Sequence, residues 1–175
     1  MKKTGYITFG AVMSALCVVV MLVSYFPYLT YTVPAFAALF VMAVLIEIGI
    51  KWAIFTYISA AIISLLIAEP ESAMFFAFFF GYYPIVKVFL ERIKNKALRI
   101  ASKILVFNAS LLLMYFVIMR LMGIESDFGG YSQYIVYVAL VLANVVFFVY
   151  DIALKRLSGW YLFKMHPIVK KFLKK

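Results

Sequence analysis

The sequence predicts an all-α integral membrane bundle of six transmembrane helices with a basic amphipathic C-terminal tail, forming a single domain over residues 1–175. Three observations predict it. Hydrophobic residues make up 67% of the chain and charged residues 14%, with a mean hydropathy of +1.07, far from the composition of soluble globular domains. The apolar residues fall into runs of about twenty, the length that crosses about 30 Å of hydrocarbon. Lys and Arg gather in alternate breaks between those runs, as they do in cytoplasmic loops.

The first span is expected over 7–26. Lys2 and Lys3 before an apolar run resemble a secretory leader, but no small-residue cleavage site follows, so a retained helix is expected. Tyr25, Phe26, Pro27 and Tyr28 mark its far interface. The uncharged linker that follows carries Tyr28, Thr30, Tyr31 and Thr32 and is able to lie at the interface or to fold back over the bundle as a candidate lid. The second span is expected over 33–50, with Pro34 in its first turn, and the third over 52–68, with Lys51 between them. Glu47 and Lys51 stand four apart and read as a snorkelling ion pair on one helical face. The sharper alternative is an intramembrane carboxylate with a transport role.

The acidic turn Glu69, Pro70, Glu71 leads into a fourth span over 73–90. Pro84, after Gly81, Tyr82 and Tyr83, removes one helical hydrogen bond and should kink this helix, freeing the carbonyl of Phe80. An ordinary packing kink and a discontinuous helix lining a site are both open at this point. A cationic hinge, Lys87, Arg92, Lys94, Lys96, Arg99 and Lys103 with Glu91, is expected in water or among headgroups, because a charge at the bilayer centre costs roughly 3 kcal/mol or more. The fifth span is expected over 104–122 and the sixth over 131–154, joined by a loop with Glu125, Asp127, Gly129 and Gly130. The tail 155–175 is basic. Ile168, Val169, Phe172 and Leu173 recur at helical spacing, with Lys170, Lys171, Lys174 and Lys175 elsewhere, the pattern of a helix lying on a membrane surface.

Six spans put both termini on one side of a cell membrane. On that side fall all of the 17 Lys and Arg except Arg120, while Glu69, Glu71, Glu125 and Asp127 fall on the other. The expected orientation is therefore termini in the cytoplasm. The net charge of +10 is accounted for by membrane lipids rather than nucleic acid.

No catalytic pair is legible. His166 is the one histidine and reads as a surface residue beside Pro167, and Cys17 is the one cysteine, read as a small hydrophobe. No metal-ligand spacing or phosphate-binding loop is present, so no enzyme activity, metal or cofactor is expected, and transport energy would come from a partner or a gradient. Asn108 and Asn144 fall at similar depths in the fifth and sixth spans and are expected to hydrogen-bond. Near the other face, Tyr115, Arg120, Gln133, Tyr134 and Tyr137 are able to converge with Tyr28 and Tyr31 around a small planar or anionic ligand. The plainer alternative is an aromatic interfacial belt with Arg120 paired to Glu125. Gly10, Ala11, Ser14 and Ala15 form two overlapping small-xxx-small pairs, suited to close helix approach inside the bundle or to a partner.

Six short spans with both ends inside, Ala11 and Ala15 near the cytoplasmic end of the first, and a lid-like first linker resemble the substrate-binding S component of energy-coupling factor vitamin transporters. The stretch from Phe79 to Lys87, followed by Glu91 and Arg92, is also similar to uncharacterised small multi-pass membrane proteins of Gram-positive bacteria. The first resemblance implies that Ala11 and Ala15 face a transmembrane coupling subunit and that two ATPase subunits supply energy. It also implies a small vitamin-like ligand entering between the first linker and the last three spans. The rival expectation is a non-transporting membrane interaction or scaffold protein, recruiting lipid or a cytosolic partner through its basic hinge and tail.

Overall fold

The computed structural model describes residues 3–122 and 133–173, and these are helices joined by short turns, with no strand among them. Helix α1, Lys3–Leu22, runs into a single tight turn at Val23–Tyr25. α2 is Thr32–Glu47 and α3 is Ile50–Ile67. The fourth apolar stretch is subdivided into α4, Pro70–Phe75, a wide π turn at Phe76–Phe80, and α5, Tyr83–Leu90. α6 is Lys96–Met122, α7 is Gln133–Lys164 and α8 is His166–Leu173.

Four stretches among the described residues are long and apolar enough to cross a membrane: Thr4–Tyr25, Ile50–Ile67, Pro70–Leu90 and Lys96–Met114. Thr32–Glu47 is a shorter apolar helix. The distribution of side-chain size agrees with a lipid surround. On α3 the buried positions are Ala53, Thr56, Ala60, Ala61 and Ser64, while Phe55, Ile58, Ile62 and Leu66 are exposed. Large residues outside and small ones inside suit lipid, where helices associate by close backbone approach rather than by hiding apolar surface from water.

α1, α2 and α3 pack together on such small residues. Gly10, Ser14, Cys17 and Met21 form the buried stripe of α1. Thr56 Oγ1 donates to the Gly10 carbonyl at 3.4 Å, and Ser14 Oγ donates to the Thr56 carbonyl at 3.3 Å. A Cβ at Gly10 would stand 3.3 Å from Thr56 Oγ1, so the glycine sets how closely these helices approach. A second core is aromatic. Phe79, Phe80 and Tyr83 meet Phe107 of α6 and Phe147 of α7, with the Phe107 and Phe147 rings stacked at 4.6 Å.

Several boundaries differ from the sequence expectation. α2 ends at Glu47 because Gly49, with φ of 97°, turns the chain in a conformation that favours glycine. Glu47 and Lys51 are therefore on different helices, and they do not form the expected ion pair. Glu47 instead lies 3.0 and 3.1 Å from His166 Nδ1 through its two oxygens, which ties α8 to the end of α2. The hinge is also shorter than expected, since α6 begins at Lys96, where Asn95 Oδ1 accepts from the Ala97 amide at 3.0 Å. Nor does the sixth apolar run end its helix at Leu154. α7 continues through the basic residues to Lys164, as no proline interrupts it before Pro167.

Candidate functional site

The densest polar arrangement among the described residues is a buried ionic cluster joining α5, α6 and α7. Tyr83, Lys87 and Glu91 are spaced four apart, so the backbone of α5 and its C-cap turn all three to one side. Lys103 projects from α6 and Asp151 from α7. Lys87 Nζ donates to Asp151 Oδ1 at 2.6 Å and to the Asp151 carbonyl at 2.5 Å. Lys103 Nζ donates to Asp151 Oδ2 at 2.7 Å and to Glu91 Oε1 at 2.8 Å, and Tyr83 Oη donates to Asp151 Oδ1 at 2.7 Å. Lys87, Lys103 and Asp151 are buried.

Two ammonium groups and two carboxylates leave the cluster without net charge, which is what permits its burial, since an unpaired ion in an apolar interior is far more costly. Glu91 sits beyond the end of the apolar stretch, and the hydrogen bond from Lys103 holds its carboxyl below the usual range, with the Lys103, Lys87 and Arg99 charges adding to the effect. Chemically the cluster is a fixed clamp.

Just before it, the break in the fourth stretch is held by hydroxyl groups. The Gly81 amide donates five residues back to the Phe76 carbonyl at 2.8 Å. Tyr57 Oη donates to the Ala77 carbonyl at 2.5 Å, and Tyr150 Oη reaches the Phe80 carbonyl at 3.4 Å. Tyr82 and Ser110 share a hydrogen bond between hydroxyls. The carbonyl expected to be freed by Pro84 is thus partnered from α7. A Cβ on Gly81 would come within 2.8 Å of the Phe76 carbonyl oxygen, so only glycine fits there.

Two larger cavities flank these helices. One of about 640 Å³ is lined almost wholly by apolar side chains, including Val23, Leu29, Phe36, Phe40, Trp160 and Tyr161. Another, of about 580 Å³, lies against the cluster, and its lining includes the polar Lys87, Glu91, Lys155 and Ser158 and the apolar Met42, Leu45, Ile46 and Leu162.

The residues expected to form an outer ligand site are placed as follows. Tyr28 is 96% exposed and has φ of 71°. Tyr31 donates to Glu71 Oε1 at 2.8 Å and packs edge-on against Phe75, fastening the first linker to α4. Neither lines the larger cavity. The side chains of Tyr115, Arg120, Gln133, Tyr134 and Tyr137 lie outside the described residues, as does the loop with Glu125 and Asp127. Ala11 and Ala15 are exposed, in contrast to Gly10 and Ser14. The expected Asn108–Asn144 contact is present, with the two amides exchanging bonds of 3.2 and 3.4 Å.

Compared with family models, curated proteins and solved structures, the chain matches none of them.

Sequence reasoning assigned Lys87 and Lys103 to a solvated hinge and passed over Asp151. The signal was there: Asp151 is the lone carboxylate of the sixth apolar run, and an ionisable residue within such a run requires a partner. Lys87 likewise falls inside the expected fourth span.

Proposed function

We propose that this protein is the membrane-embedded substrate-capture subunit of a small-molecule, vitamin-like uptake transporter. In this reading it crosses the cell membrane six times, with both termini cytoplasmic, and is energised by two partner ATPases through a transmembrane coupling subunit. α2 and α7 supply the two crossings beyond the four stretches named above. At 16 residues α2 is about 24 Å long, short enough to require local thinning of the bilayer or shelter by its neighbours.

The observation that carries the reading is the division of small residues on α1. Gly10 and Ser14 are taken up by α3, whereas Ala11 and Ala15, one position on, remain bare. A bare pair of alanines four apart lets a partner helix approach closely in lipid, where close packing replaces the hydrophobic driving force. The exposed hydrogen bond from Tyr31 to Glu71 and the edge-on contact of Tyr31 with Phe75 support the lid role of the first linker, since both are surface contacts that opening would break.

Gentle purification from native membranes tests the proposal. Two ATPase subunits and a membrane partner should copurify, and Ala11→Trp with Ala15→Trp should abolish their recovery while leaving the melting temperature unchanged. A chain that purifies alone, or partners retained by the double variant, would overturn it. Native mass spectrometry of the same sample should reveal a retained small molecule.

A further inference from the structure

We propose that the cavity of about 580 Å³ beside the ionic cluster is a binding site for one anionic phospholipid, drawn from the leaflet that meets the cation-rich end of the bundle. The inference is independent of any transport role.

The lining is of two kinds. Met42, Leu45 and Ile46 of α2, with Leu162 of α7, offer apolar surface for an acyl chain, and Lys87 and Glu91 at the end of α5 and Lys155 and Ser158 of α7 supply the polar groups. An ammonium carries three donors. Lys87 directs two of its hydrogen bonds to Asp151, which leaves the third for an occupant of the cavity it lines. The Ser158 hydroxyl donates to the Lys155 carbonyl at 2.9 Å and keeps its lone pairs free.

Charge selects the sign of the headgroup. Lys87 and Lys103 are balanced by Asp151 and by Glu91, which also lines the cavity, so the cluster itself contributes no net charge. Lys155 is exposed and has no carboxylate partner among the described residues, which makes the polar lining of the cavity net positive. Basic pockets between membrane helices bind lipid headgroups in this way, each cation near the surface adding to the attraction. A phosphate diester with an attached acyl chain satisfies both kinds of lining at once, whereas a free phosphate would leave the apolar surface bare.

The full chain is reconstituted in bilayers of phosphatidylcholine mixed with phosphatidylglycerol, extracted into mild detergent and examined by native mass spectrometry. The expected result is a single lipid adduct enriched in phosphatidylglycerol over the bulk mixture. Lys155→Glu should lower that enrichment about tenfold, because it reverses the uncompensated charge. Leu162→Trp should lower total adduct by filling the cavity without touching any charge. Both positions are exposed, so each variant should keep the parent melting temperature in pure phosphatidylcholine. Adducts that mirror the bulk lipid ratio, or enrichment unchanged in Lys155→Glu, would overturn the proposal. So would stabilisation by inorganic phosphate alone equal to that given by phosphatidylglycerol, which would mark a free-anion site.

Discussion

Asp151 is the residue on which the polar interior depends. It accepts from two ammonium groups and a phenol, whereas Glu91 accepts from Lys103 alone. Asp151→Ala leaves Lys87 and Lys103 as buried cations, one unpaired and the other with Glu91 alone. The expected loss is about 3–5 kcal/mol of stability, read by denaturant or thermal unfolding in detergent. Replacing Lys87 by Met in the same chain should recover part of that loss, because removing a buried ion is cheaper than stranding it. Glu91 supplies a pH dependence of definite sign. Its carboxyl is held below the usual range in the folded protein, chiefly by the hydrogen bond from Lys103. Its contribution is therefore complete above the unfolded-state value and is lost as the pH falls through the folded-state one. A melting curve followed below about pH 4 should show the decline, and Glu91→Gln should flatten that part of the profile.

At the scale of elements, the fourth apolar stretch shows how a broken helix is kept inside a membrane bundle. Pro84 and the π turn at Phe76–Phe80 would leave carbonyls without partners, and lipid provides none. Hydroxyl groups of Tyr57 and Tyr150 meet those of Ala77 and Phe80 instead. Both alternatives drawn from the sequence, a packing kink and a discontinuous helix, contain part of this: the break is real, and it is filled by neighbouring side chains. α6 and α7 are joined by a different device, the mutual amide bonds of Asn108 and Asn144. A double-mutant cycle with Ala at both positions should give a coupling of about 0.5–1.5 kcal/mol, the range for side-chain hydrogen bonds between membrane helices. A coupling near zero would show that each amide does as well with its own helical carbonyl, to which both also donate at 2.8 Å.

At the scale of the whole molecule, cations collect at the end where α2 meets α3 and α5 meets α6, and carboxylates Glu69 and Glu71 lie at the turn into α4. The positive-inside rule then sets the expected orientation. In a Cys17→Ser background, Lys94→Cys should resist an impermeant thiol reagent added to intact cells, and Glu71→Cys should react with it. The opposite pattern would overturn the expected orientation and the proposed outward lid.

The membrane class, the apolar helices and the Asn108–Asn144 contact were legible in the sequence, because each depends on composition, run length or depth along a helix. The ionic pairings across the bundle were not. Glu47 has Lys51 four residues away yet meets His166, 119 residues on, because Gly49 ends the helix between the nearer pair. Lys87 and Lys103 read as solvated hinge cations until α7 brings Asp151 between them. A sequence shows that a charge stands in an apolar run and so must be compensated; which side chain compensates it depends on helix crossing and rotation. Those are set by the small-residue and aromatic contacts that only the assembled tertiary structure makes.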